Sequence, residues 1–221
     1  MKERPILFTG PMVRAILEGR KTVTRRVVKP QPDFLGSMVD PNTPFKTLDA
    51  GLHARITCPY GEPGDRLWVR ESWWQAGDWQ STYPEDDTGA WFGSKRIVYS
   101  ADGAPPNEPN HHYPNGLRNG TYSAAEPNKI WRHRPSIHMP RWASRILLEI
   151  TAVRVERLQD ITRSDIRAEG LECPPELRSD DVSPNYRDWY PEAWRELWES
   201  TGGNWDANPW VWVVEFKRVT P

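Results

Sequence analysis

Cysteine is nearly missing from this chain of 221 residues. Cys58 and Cys173 stand far apart with no CxxC spacing, which excludes a disulfide framework and a zinc ribbon and leaves both as reduced thiols. Net charge is nearly missing too. Lys+Arg 29 against Asp+Glu 30 gives a formal charge of -1, so no global basic field advertises nucleic acid, and any such role must come from local patches. No apolar run approaches the length of a membrane helix. The start, "MKERPILFTG", has no apolar stretch followed by a small-residue cleavage site, so a cytoplasmic protein without a membrane partner is expected. There is no G-x-S-x-G elbow and no phosphate-binding glycine loop, which leaves serine hydrolases and nucleoside triphosphatases unsupported. His111, His112, His133 and His138 stand without a carboxylate at metal-ligand spacing, so neither a metal nor another cofactor is expected.

What the chain has in excess is tryptophan and proline, 13 and 22 residues, in a sequence that is 37% hydrophobic. A tryptophan needs apolar cover and a partner for its N–H. Large rings filling one modest core is the simpler reading, and two or three rings lining a pocket that stacks a flat ligand is the alternative. The length supports one sizeable core, so a single domain over residues 1–221 is expected, with loop-rich insertions at about 30–60, 77–130 and 172–188.

"PILFTG" reads as a short strand, and "PMVRAILEG" places Met12, Ala15 and Ile16 at helical spacing before Gly19. "KTVTRRVV" alternates and is β-branched, a strand. A turn at Gly61–Asp65 precedes a strand that puts Leu67, Val69 and Glu71 on one face. Gly77 to Lys129 reads as loop apart from "RIVYSA". "WASRILLEITAVRVERLQDI" is two strands or one bent strand, because Thr151 and Ala152 interrupt its alternation. Thr162 or Ser164 caps a short helix ending at Gly170. Trp194, Leu197 and Trp198 recur at helical spacing, and "PWVWVVEFKRV" is a terminal strand. The order predicts an α+β protein around a small, partly open barrel.

The near-neutral total conceals uneven charge. Arg14 to Lys29 holds six basic residues and one acid; Arg132 to Arg145 holds four arginines, two histidines and no acid, with Trp131 and Trp142 alongside; Glu172 to Asp206 holds nine acids and three arginines. Cations interleaved with rings suit RNA, whose phosphates meet the cations while unpaired bases stack. A solvated face, or internal ion pairs to the acidic segment, is the competing account.

Four stretches together carry a family resemblance: "GRKTVTRR", "PGDRLWVRESWW", "HMPRWASRILLEITAVRVERLQDITRSDIRAEGL" and "NPWVWVVEFKRV". They resemble the ASCH family of the PUA-like superfamily, in a long form similar to ASCH proteins encoded by phages and prophages. The resemblance implies a PUA-like β-barrel with flanking helices and a cleft for a nucleotide or RNA. Some small bacterial members are amidohydrolases that remove the acetyl group from N4-acetylcytidine with a Lys, a Thr and a Glu. Their motif falls here on Gly19, Arg20, Lys21, Thr22, Val23 and Thr24, and their Glu on Glu169. The implied catalytic set is therefore Lys21, Thr24 and Glu169, without a metal. Arg20, Arg25, Arg26, Glu71, Arg141 and Trp142 are the expected substrate- or RNA-binding residues. Expected partners are a modified cytidine nucleoside or single-stranded RNA. The alternatives are a non-catalytic RNA- or protein-binding module and an ASCH-type ribonuclease.

Cleaving an aromatic acetamide needs a nucleophile, a proton acceptor, an oxyanion donor and a proton for the leaving amine. In a regular strand Lys21 and Thr24 point to opposite faces, so they converge only if the chain turns near Lys21. Burial and neighbouring arginines push a lysine pKa down, whereas a close Glu169 pushes it up. The expected division of roles makes Glu169 the base, Thr24 the nucleophile or water-positioner, and Lys21 the cation facing the oxyanion. For Glu169 the competing account is a helix-end acid paired with Arg163 or Arg167, and for Glu71 a buried partner of an arginine.

Overall fold

The computed structural model describes residues 1–36, 42–48, 51–81, 89–111, 129–174 and 184–220. His112 and most of the acidic loop after Glu172 lie outside them. The chain divides into two compact units: Met1–Pro5, Arg14–Trp68 and Ile146–Pro221 form the first, and Ile6–Val13 with Val69–Arg145 form the second. The class is α+β, with strands predominating.

The main sheet has the order β1-β6-β10-β11-β2. Its strands are β1 (Glu3–Leu7), β6 (Arg66–Arg70), β10 (Leu147–Arg157), β11 (Trp210–Val219) and β2 (Val23–Val27). β10 runs antiparallel to both β6 and β11, and β11 antiparallel to β2. β1 and β2 are its two edges, so among the described residues the sheet is open and no closed barrel forms. β10 is one bent strand, with the irregularity between Ile150 and Ala152, where the alternation breaks. An extra residue there shifts the register and increases the local twist.

α2 (Arg163–Ala168) begins where Thr162 Oγ1 accepts the Asp165 N–H at 3.2 Å. It ends at Glu169 and at Gly170, whose φ of +93° is left-handed. A Cβ at Gly170 would lie 2.8 Å from the Ala15 Cβ and 3.1 Å from the Lys21 Cβ. Glycine therefore serves both the turn and the close approach that seats Glu169 against Lys21. α3 (Pro184–Ser200) brings Trp194 and Trp198 into one core cluster with Val23, Leu158, Ile166, Val211 and Val213. Burying a ring of that size contributes roughly 5 kcal/mol before ordering costs are counted.

Two stretches read as loop are partly sheet. Within 30–60, β3 (Phe34–Leu35), β4 (Pro44–Thr47) and β5 (His53–Arg55) form an antiparallel sheet, with Phe34 stacked on Phe45 at 5.5 Å. Strands of two to four residues are too short to show a period. In the second unit, β7 (Trp73–Ser81) pairs with both β8 (Gly89–Tyr99) and β9 (Trp131–Arg134). Its glycines resemble turn signals in the sequence but act as seats for rings. A Cβ on Gly77 would lie 2.2 Å from Trp91 Cζ2, and one on Gly89 would lie 2.4 Å from Trp79 Cζ2. Glycine within a strand marks just such close approach.

Gly77→Ala tests this packing. Overpacking against Trp91 is expected to cost about 1–3 kcal/mol, measured by denaturant unfolding. Wild-type stability in the variant would mean that the ring is not seated on the glycine.

Candidate functional site

The basic run after α1 (Gly10–Leu17) divides by the alternation of β2. The segment from Lys21 to Thr22 is pinned before the strand begins: the Lys21 N–H donates to Ala15 O at 3.0 Å, and the Thr22 N–H to Ala168 O at 2.8 Å. Lys21 thereby bridges to Glu169. Its side chain is 0% exposed and that of Glu169 2%. Lys21 Nζ donates to Val23 O at 2.8 Å, Glu169 O at 3.0 Å and Glu169 Oε2 at 2.5 Å. An ammonium has three protons, and these contacts use them all.

The other Glu169 oxygen accepts from Arg25 Nη1 at 3.2 Å. Arg25 continues the network: Nη2 reaches Glu156 Oε1 at 2.5 Å and Asp165 Oδ2 at 2.7 Å. Arg154 Nη2 meets the same Asp165 oxygen at 2.7 Å, and its Nη1 pairs with Glu215. The Arg25 guanidinium also lies 5.8 Å from the Trp194 ring centre. Arg25, expected to contact RNA, is fully buried and neutralised within the unit. The competing account of internal ion pairs describes it better, although its acids are Glu156, Asp165 and Glu169 rather than the 172–206 segment.

Thr24 is buried, but lies one residue out of phase with Val23 and Arg25, which share the face closed by α3. Among the described residues, no hydrogen bond joins it to Lys21 or Glu169. Arg20 is partly exposed, donating to Gly170 O at 2.7 Å and to Glu18 Oε2. Arg26 is partly buried. Arg167, one of the two partners considered for Glu169, donates to the Tyr190 hydroxyl at 3.0 Å.

Burial is the largest influence on the Lys21 amine and lowers its pKa from 10.5; Glu169 pulls it up, while Arg26 and Arg25 lower it further. The net shift is downward. Lys21 therefore gives up its proton more readily than a lysine in water does.

No protein-family model, no curated protein and no solved structure matches the chain. The family resemblance therefore rests on the quoted motifs.

A cleft of about 450 Å³ also lies in the first unit, lined among others by Arg4, Arg55, Cys58, Glu62, Arg154 and Trp212. Its lining contains one of the 13 tryptophans and neither Lys21 nor Glu169. Sequence reading missed this wall because Arg4, the β4–β5 stretch and β11 are far apart along the chain.

Glu71 belongs to the second unit and is 1% exposed. Arg145 clamps it, Nε to Oε1 at 2.9 Å and Nη2 to Oε2 at 3.0 Å, and also holds Asp102 at 2.6 and 2.8 Å. It is the buried partner of an arginine. Among the described residues, no group of three or more His, Cys, Asp or Glu is placed to hold a metal, and no helix is long and apolar enough to cross a membrane.

Arg25→Ala strands Glu169, Glu156 and Asp165 without their shared cation, and is expected to cost about 3–5 kcal/mol in denaturant unfolding. Little change would show that the network is not structural. Burial raises the Glu71 pKa above 4.5 despite Arg145. A carboxyl raised on folding stabilises fully below its unfolded pKa, and that contribution fades as pH rises through the folded value. Glu71→Gln should therefore improve relative to wild type from pH 4 towards pH 7, whatever the constant cost of weakening the Arg145 clamp. A stability difference that stays constant with pH would contradict the raised pKa.

Proposed function

We propose that the chain is a cytoplasmic ASCH-type protein of PUA-like ancestry that hydrolyses the acetamide of N4-acetylcytidine, with Lys21 and Glu169 as the reacting pair. The observation that supports this reading is the 2.5 Å contact between an amine and a carboxylate that are 148 residues apart in sequence and sealed from water. Burying such a pair is seldom the most stable solution, since apolar residues of similar volume usually serve as well or better. Strongly perturbed, paired ionisable groups are enriched at reactive sites.

The lowered Lys21 pKa supplies a route. Passing the ammonium proton to Glu169 leaves a neutral amine beside a carboxylic acid. The amine takes a proton from a water molecule, and the resulting hydroxide adds to the acetyl carbonyl. Collapse of the tetrahedral adduct breaks the C–N bond, Glu169 protonates the departing N4, and acetic acid leaves. The pair returns to ammonium and carboxylate, so every proton is accounted for. Water replaces Thr24 as nucleophile because the alternation of β2 sets Thr24 apart from Arg25 and the Glu169 it holds. Substrate reaches the pair when the end of α2 moves away from Lys21, a movement restrained by the Arg20 hydrogen bond to Gly170.

The test is mass-detected conversion of N4-acetylcytidine to cytidine by the purified chain. Lys21→Met, which fills the space without the amine, is expected to remove at least about 100-fold of the rate; Thr24→Val is expected to cost less than about tenfold. Folded wild-type protein without turnover would overturn the reading. The pH–rate profile should have two limbs belonging to the coupled pair. A single ascending limb in the carboxylate range would return the role of base to Glu169.

A further inference from the structure

The cleft of about 450 Å³ in the first unit is a site that the hydrolytic reading does not use. Arg141 and Trp142, exposed in the second unit, are no part of it. One wall comes from β10 and β11. Val153 lies opposite Val214 and Val155 opposite Trp212, so Val153 and Trp212 share the sheet face turned away from Val211 and Val213. Ile56, which follows β5 and donates its N–H to Pro44 O at 2.8 Å, adds a buried apolar side chain to the lining.

Three arginines reach this lining, and only Arg154 is fully engaged, by Glu156, Asp165 and Glu215. Arg55 is exposed and makes no hydrogen bond or ion pair among the described residues. Arg4 Nη1 stands 3.8 Å from Asp65 Oδ2, too far for a hydrogen bond, while the other Asp65 oxygen accepts the Lys2 N–H at 2.7 Å. Gly61, at a φ of +123°, makes room for Arg4: a Cβ there would lie 2.9 Å from both Arg4 Nη1 and Asp65 Oδ2. Burial pushes the Cys58 thiol up from its ordinary pKa and outweighs the pull of Arg4, so at neutral pH it belongs to the uncharged lining. Glu62 is the one acid of the lining among the described residues, exposed and without an ion pair there.

We infer that the cleft binds a small molecule with a single carboxylate and an apolar body, the carboxylate held by Arg55 and Arg4 and the body laid against Trp212, Ile56 and Val153. A guanidinium presents paired N–H donors that match the two oxygens of a carboxylate. The volume falls within the range of small-molecule sites, which are mostly apolar with a few placed polar groups. Glu62 sets the charge of the ligand: it repels the second negative charge of a phosphate ester, while the two arginines repel a cation. Neither Lys21 nor Glu169 lines the cleft, so this site stands apart from the hydrolytic pair.

Isothermal titration calorimetry of the full chain with phenylpropionate tests this, beside phenylpropionamide, phenethyl phosphate and cytidine monophosphate. The acid is expected to bind with a Kd below about 1 mM, the amide at least about tenfold more weakly, and both phosphates more weakly than the acid. Arg55→Gln, at an exposed position without a partner among the described residues, should weaken the acid at least about tenfold while the unfolding midpoint stays unchanged. Glu62→Gln should tighten phenethyl phosphate about threefold. Saturating phenylpropionate should also slow alkylation of Cys58 by iodoacetamide, read by mass spectrometry, because that thiol lines the cleft. Folded wild-type protein that binds none of the compounds, an amide that binds as well as the acid, tighter binding of cytidine monophosphate, indifference to Arg55→Gln, or an unprotected Cys58 would overturn the assignment. None of these readouts depends on turnover of an acetylated nucleoside.

Discussion

The buried contact between Lys21 and Glu169 is the constraint around which the first unit is built. Two opposite charges without water must be fully hydrogen-bonded, or the desolvation cost unfolds the region. The chain meets that demand with Val23 O and Glu169 O for the amine and with Arg25 for the second carboxylate oxygen. Arg25 in turn requires Glu156 and Asp165, and Asp165 brings in Arg154. α2, β2 and β10 are thereby tied together by charge as well as by the tryptophan-rich packing of α3.

This network gives the same residues structural and chemical meaning. A lysine with every proton engaged is static as a cation, yet burial lowers its pKa. Surface arginines cannot do this, since their charge persists at any biological pH. The second unit handles positive charge differently. There, the Arg132 and Arg134 guanidinium groups both lie over the Trp91 indole.

Much of the order was legible because its signals are local. The alternation in "KTVTRRVV", the cap at Thr162 and the interrupted run around Thr151 each depend on near neighbours, and each corresponds to an observed element: β2, the start of α2 and the bend in β10. The strands β3 to β5 were hidden by their shortness, and the glycines of β7 and β8 by their ambiguity. Gly77 reads as a turn until Trp91 is known to rest on it. Lys21 and Glu169 were named together through motif likeness, whereas Arg25 was assigned to substrate or RNA because a sequence does not show which acids return to meet a cation.

The sequence by itself determined the strand and helix periods, the caps, the clustering of basic residues and the lack of metal-ligand spacing in the chain, all of which are properties of short segments. Only the tertiary structure decided which charges are buried and which acids meet them. Burial and pairing depend on residues more than a hundred positions apart, as with Lys21 and Glu169 or Arg25 and Asp165. The free energy of a charge depends on that distant company far more than on its neighbours along the chain.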